Sequence, residues 1–177
     1  GWGNHSWTNK TWSPTAQYKS SPMLMEQQYL GEDDYIQHFN YVLKAFKDKR
    51  YITVDEKPVF LIYSALTFPD AKLFIEIWQD LAKKNGLKGV HFIGQSTRNA
   101  DYKKILNIGF DAVCRAGIVD ASDKINGRYV NVALLKLRNV FKYTPLNKYK
   151  YSDIVKNLID PEIDKLENVY PTVIPNF

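Results

Sequence analysis

Trp2-Gly3-Asn4-His5-Ser6-Trp7-Thr8-Asn9-Lys10-Thr11-Trp12 sets three indoles among amide, imidazole and hydroxyl groups. No helical or strand period in this stretch would bury all three. Flat aromatic faces beside hydrogen-bonding groups suit a ring with apolar faces and a polar rim, which describes a sugar. Mixed aromatic and polar linings are also the usual small-ligand site. A loop whose tryptophans plug the core is the competing reading, and these residues alone leave the two level. Glu26, in the extended run Met23 to Tyr29, is the first carboxylate that could face such a site, against the plainer reading of a surface charge beside a strand.

The remaining candidates depend on where strands end. Val59 to Tyr63 is a continuous apolar run, as a parallel strand buried on both faces requires. Its end presents Tyr63 and Ser64. A second strand over 89–94 ends at Gln95, and a third over 110–115 ends at Arg115. Helical spacing of Tyr35, Ile36, Phe39, Val42, Leu43 and Phe46 predicts a helix over 32–47, with Glu32, Asp33 and Asp34 at its positive end. A second helix follows Asp70 and stops at Gly86, burying Leu73, Phe74, Ile77, Trp78 and Leu81. A short helix spans 100–107. A polar loop is expected over 117–128, then helices near 129–141 and 151–166, and a last extended run over 168–175.

Strands alternating with helices imply parallel βα units, hence an α/β fold. Four such strands make a partial, TIM-barrel-like half-barrel or a small open sheet. In either architecture ligands collect at the carboxyl ends of strands, which gathers Tyr63, Ser64, Gln95 and Arg115 with the opening stretch. The set has donors, acceptors, a cation and aromatic rings but no pair of carboxylates, and glycosidic chemistry normally uses two.

No cofactor is called for, because no glycine-rich phosphate fingerprint follows a strand. His5, His38 and His91 lack metal-ligand spacing, and no nucleophile elbow marks a triad. His38, on a helix flank, reads as structural. With 177 residues the chain reads as one domain. Its net charge of +5 comes from lysines scattered along helices, a solvated surface rather than a nucleic-acid patch, although a basic face still attracts phosphate groups or anionic lipid. Cys114 alone excludes an internal disulfide and reads as a buried, inert thiol. No run reaches the apolar length of a membrane span, and no signal peptide is visible.

Taken together, Trp2-Gly3-Asn4-His5-Ser6-Trp7-Thr8, Glu26-Gln27, Asp33-Asp34, Phe46-Lys47-Asp48-Lys49-Arg50-Tyr51-Ile52, the run from Val54 through Pro58 to Tyr63, and Pro69-Asp70 fall in an order that resembles the WbsX-type family. The likeness is strong over 2–94, vague over 95–167, and returns at Val169-Tyr170-Pro171-Thr172-Val173-Ile174-Pro175. That family is associated with bacterial lipopolysaccharide and capsule synthesis. It is similar to the endo-α-mannosidase group of glycoside hydrolases, family 99, which has a (β/α)8 barrel.

The resemblance implies that this chain is the middle of a longer domain, with early strands before Gly1. The family's Asn-Glu-Trp segment and its glutamate pair would lie beyond Phe177, so no catalytic glutamate is assigned here. Where the family often has Asn-Glu-Asn, this chain has Asn4-His5-Ser6, so a carboxylate gives way to His5. The family's usual Asp-Gly-Lys-Pro turn reads Asp55-Glu56-Lys57-Pro58, and a glycine-type turn is therefore not expected to be essential.

The expectation is a carbohydrate-active protein of surface-polysaccharide synthesis, acting by glycosyl transfer. Glycosidic hydrolysis and non-catalytic glycan binding are the alternatives. Trp2, Trp7 and Tyr63 would wall a sugar ring, Asn4, His5, Gln95 and Arg115 would bond hydroxyls or an anionic group, and Glu26 is a weaker candidate. The expected partners are a sugar, oligosaccharide or sugar nucleotide and a second copy across open sheet edges. The expected place is the cytoplasm, with membrane association as the variant.

Overall fold

The computed structural model describes residues 1–8, 23–141 and 149–172. Asn9 to Trp12 of the opening stretch and the end of the last extended run at 173–175 lie outside them.

β1 (Trp7–Thr8) and β2 (Met23–Met25) pair antiparallel. α1 (Glu32–Phe46) begins with its three acidic residues and has Lys44 in its last turn, matching charge to the helix dipole at both ends. β3 (Thr53–Val54) and β4 (Lys57–Ile62) form a tight hairpin. Its two central residues, Asp55 and Glu56, sit at φ 49° and 62°, in the left-handed region that two-residue hairpin turns require. This corrects the expectation: the turn keeps glycine-type geometry, and Glu56 adopts it at a cost.

α2 (Ala71–Lys84), β5 (His91–Ser96), α3 (Tyr102–Ile108) and β6 (Ala112–Arg115) follow. Then come α4 (Ile118–Asn126), α5 (Arg128–Phe141), α6 (Tyr151–Leu158), α7 (Pro161–Asp164) and β7 (Val169–Pro171). The sheet order is β3-β4-β5-β6-β7, with β4 through β7 parallel. It curls into a half-barrel flanked by helices, the α/β arrangement expected.

Two segments differ from expectation. Residues 117–128 hold α4 rather than a loop. Ile118, Ala121 and Ile125 recur at helical spacing, and Ala121 is buried, but Asp120, Ser122, Asp123 and Lys124 between them obscure the period. The helix predicted over 151–166 is two. Pro161 disfavours helical backbone in the residue before it, so Asp160 becomes extended and caps α7 by accepting the Glu162 N–H at 3.3 Å.

Register decides which side chains meet. Phe60, Ile62, Phe92, Gly94 and Val113 share the helix-facing side of the sheet. They pack against Tyr35 and Phe39 of α1 and Phe74 and Trp78 of α2. The Trp78 indole N–H donates to the Tyr35 carbonyl at 2.9 Å, which satisfies the polar atom of a fully buried ring. Gly94 is small because Ile105 fills the space: a Cβ there would lie 2.4 Å from Ile105 Cγ2. The opposite side carries Val59, Leu61, His91, Ile93, Gln95 and Cys114. Cys114 is half-buried rather than buried, with Sγ 3.1 Å from Thr172 Oγ1.

Candidate sugar-binding site

Trp2 forms an isolated parallel bridge to Ile62 of β4. The Trp2 N–H donates to Leu61 O at 2.7 Å, and the Tyr63 N–H donates to Trp2 O at 3.0 Å. Pairing with Ile62 turns the Trp2 ring to the helix-facing side, where it meets Tyr29, His38, Phe68 and Phe74 at ring distances of 5.0–5.9 Å. Trp2 thereby joins the aromatic core, apart from the strand-end residues. Burial holds the His38 imidazole below its ordinary pKa, against the opposing charge of Asp34. The neutral ring it favours fits a packing role.

Past this bridge, Asn4 is almost fully buried and ties two loops together. Its Oδ1 accepts the Ser64 N–H at 2.7 Å, and its Nδ2 donates to Ser64 O at 3.3 Å and Tyr29 Oη at 3.1 Å. The Tyr29 hydroxyl donates in turn to Asn4 O at 3.1 Å. Burial raises the Tyr29 pKa, with the Asn4 bond opposing. Both amide donors and one acceptor position are thus used within the protein, and Asn4 acts as a clamp on the loops that carry His5 and Tyr63.

His5 and Tyr63 form an aromatic pair, their rings 4.9 Å apart at 34°, and Trp7 lies 6.0 Å from His5. His5 Nδ1 is buried with no hydrogen-bond partner among the described residues. Tyr63 is 45% exposed. Beside it a hollow of about 240 Å³ opens at the ends of β4 and β5, lined by Tyr63, Ser64, Thr67, Gln95, Thr97 and Asp101 among others. Gln95 is half-buried on the inner side of the sheet. The structure therefore brings His5, Trp7, Tyr63 and Gln95 to one end of the sheet. Glu26 is exposed, just past β2.

Sequence reasoning did not single out Thr67 or Asp101. Asp101 directly precedes α3, in the turn that follows β5, and that position was the available signal. Its carboxylate accepts from Lys104 Nζ at 2.9 Å. The hollow thus pairs a half-exposed phenol ring with hydroxyl, amide and carboxylate groups.

Arg115 lies elsewhere in the pattern. It is 3% exposed and turned to the helix side. Its Nε donates to Asp164 Oδ1 at 2.6 Å, its two terminal nitrogens donate to Asn99 Oδ1 at 3.0 Å and Leu158 O at 2.8 Å, and the fork is completed on Asp164 Oδ2. Burial opposes the charge on Asp164, but the Arg115 guanidinium and the Asp160 N–H outweigh it and hold the carboxyl below its ordinary pKa. Arg115 is thereby committed to joining β6, α6 and α7. A second hollow of about 380 Å³ borders this pair, walled mainly by α6 side chains.

Among the described residues no cluster of His, Cys, Asp and Glu is placed to hold a metal. No described helix is long and apolar enough to cross a membrane.

Residues 1–177 match the family described as Glycosyltransferase WbsX. Among curated proteins the chain is similar to one described as "Uncharacterized protein WxcX" from Xanthomonas campestris pv. campestris, in strain B100 and in strain ATCC 33913. In each case 23% of 107 residues are identical, covering 60% of this chain and 15% of the relative. The chain thus spans about 15% of the length of these relatives. No solved structure matches it.

Proposed function

The chain belongs to the glycosyltransferase WbsX family, and from that premise we propose that it forms one wall of a sugar-binding cleft in a protein that builds bacterial surface polysaccharide by glycosyl transfer. The observation that carries this reading is the meeting of His5, Tyr63 and Gln95 beside a hollow at the ends of β4 and β5. Parallel α/β sheets place ligands at that end. Tyr63 and Trp7 offer ring faces. Gln95, His5 and Asp101 offer bonds to hydroxyls or to a sugar nucleotide's polar rim. Trp2, Asn4 and Arg115, first considered as ligands, are assigned the positioning of these groups instead, and Glu26 is left with no assigned role.

Among the described residues lining the hollow, Asp101 is the carboxylate, and glycosidic hydrolysis normally needs two. This favours contributions from other parts of the protein to catalysis. It also supports a second reading, a glycan-binding domain without chemistry of its own. Pairing of two copies across the sheet edges belongs to the same proposal, with light scattering as its test.

Ligand-observed NMR with free sugars, oligosaccharides and sugar nucleotides tests the site. Binding that requires the nucleotide supports transfer, and binding of plain glycans supports the second reading. Tyr63→Ala, at a half-exposed position, is expected to weaken either by about tenfold, the scale of one ring contact. Full binding by that variant would remove Tyr63 from the site. Turnover by the isolated chain would refute the placing of catalysis elsewhere.

A further inference from the structure

α5 is held to the rest of the chain along one side. Asn131 donates to Asp123 Oδ1 of α4 at 2.7 Å, and its own side-chain oxygen accepts from Asn126 at 3.1 Å. The other side faces out. Tyr129 is 89% exposed, Val130 and Leu137 are each 51% exposed, and Ala133 between them is exposed as well. At the helical period these four residues fall within an arc of about 100°, a continuous apolar stripe. Lys136 borders the stripe and is also exposed.

The sequence running through this helix is one-sided in charge. Between Asp123 and Asp153 the sequence holds no Asp or Glu, while Lys and Arg recur throughout. Spacing hides this when lysines are counted along the chain, because none of them is adjacent to another. The stretch carries more positive charge than the whole chain's net +5.

We infer that the outer face of α5 rests on an anionic lipid surface. Two observations select this occupant over others. A dissolved polyanion would answer the basic residues but leave Tyr129, Val130 and Leu137 in water. An apolar groove on a protein would take the stripe but gain nothing from the basic run of sequence. The headgroup boundary of an anionic bilayer takes both, with the apolar stripe in the acyl edge, the tyrosine at headgroup level and Lys136 against phosphate. With its 14 residues α5 is about 21 Å long, short of the ~30 Å hydrocarbon layer, so it lies in the surface plane rather than spanning it. The inference stands apart from the sugar site.

Flotation with vesicles tests it, using the whole 177-residue chain. Partition onto phosphatidylcholine vesicles containing about 30% phosphatidylglycerol is expected to exceed partition onto phosphatidylcholine alone by about tenfold. Raising salt to about 0.5 M should reverse most of that excess. Tyr129→Ser with Leu137→Ser should weaken binding by about tenfold. Both sites are exposed, and unchanged circular dichroism checks that the fold survives. Equal weak partition onto both vesicles would overturn the inference, as would anionic binding that survives the double substitution. Binding to heparin but not to vesicles would assign the face to a soluble polyanion. Self-association abolished by Leu137→Ser would assign it to a second copy. Either result would also overturn the inference.

Discussion

Arg115→Met removes a cation from a place where its partners cannot follow water. The guanidinium is 3% exposed, and the side chain of Asp164 is 10% exposed. Methionine keeps much of the length but leaves Asp164, Asn99 and the Leu158 carbonyl without their donor. Breaking a buried ion pair by deleting one member costs about 3–5 kcal/mol, mostly through the stranded charge. For a domain of this size the urea dependence is about 2 kcal/mol per molar, so the unfolding midpoint should fall by about 2 M. Asp164→Asn alone should also destabilise, and the double variant should lose less than the sum of the singles, with a coupling of at least about 1 kcal/mol.

Acid gives an independent reading of the same pair. The folded pKa of Asp164 lies below the ordinary carboxylate value, so its stabilisation is fully present above the unfolded pKa of about 3.9. It is lost as pH falls through the lower, folded value. Wild-type stability should therefore decline with acid in that window, and Asp164→Asn should flatten the decline. A midpoint shift below about 0.5 M for Arg115→Met, with the slope unchanged, would refute the reasoning. So would a folded Arg115→Met that has lost only ligand binding.

Three further substitutions probe the scaffold. Gly94→Ala should destabilise by about 1–3 kcal/mol through overpacking, since the new methyl would meet Ile105, Ala65 and Phe110 at 2.4, 3.0 and 3.2 Å; a neutral effect in urea unfolding would show that α3 yields. Asn4→Ala should cost about 2–3 kcal/mol by stranding the Ser64 N–H and removing the amide's donations to the Ser64 carbonyl and the Tyr29 hydroxyl oxygen. It would be read as a fall in melting temperature of about 4–10 °C, and a fall under 2 °C would mean that water replaces the clamp. Glu56→Gly should raise stability by about 0.5–1 kcal/mol by relieving left-handed backbone, even though it removes the exposed Lys88 ion pair; a loss in thermal unfolding would show that the ion pair outweighs the strain.

The strands were legible because Val59 to Ile62 is an unbroken apolar run and Val90 to Ile93 is one interrupted only by His91, and α1 and α2 because their aromatic spacing is helical. α4 was not, since its period rests on Ile118, Ala121 and Ile125 alone. The face taken by Trp2 was not legible either. It depends on pairing with Ile62, and a shift of one residue would have pointed the ring to the opposite side. The fate of Arg115 was set by Asp164, 49 residues away, a separation across which no local pattern operates. At the strand ends, Tyr63 and Gln95 were readable because position follows from topology, whereas Asp101 needed the turn after β5 to be seen.

The path of the chain through the sheet also bears on how it assembles. The contact joining the start of β5 to the entry of β6 closes 19 residues, while the one joining β6 to the segment after β7 closes 58. Longer closures carry a larger entropic cost before any contact compensates it. The β4-to-β6 unit is therefore the expected nucleus, with β7 docking late, after α4 to α7 have condensed. Until it docks, the far edge of β6 stays open to other chains, so the moment of greatest aggregation risk falls at the end of folding rather than at its start.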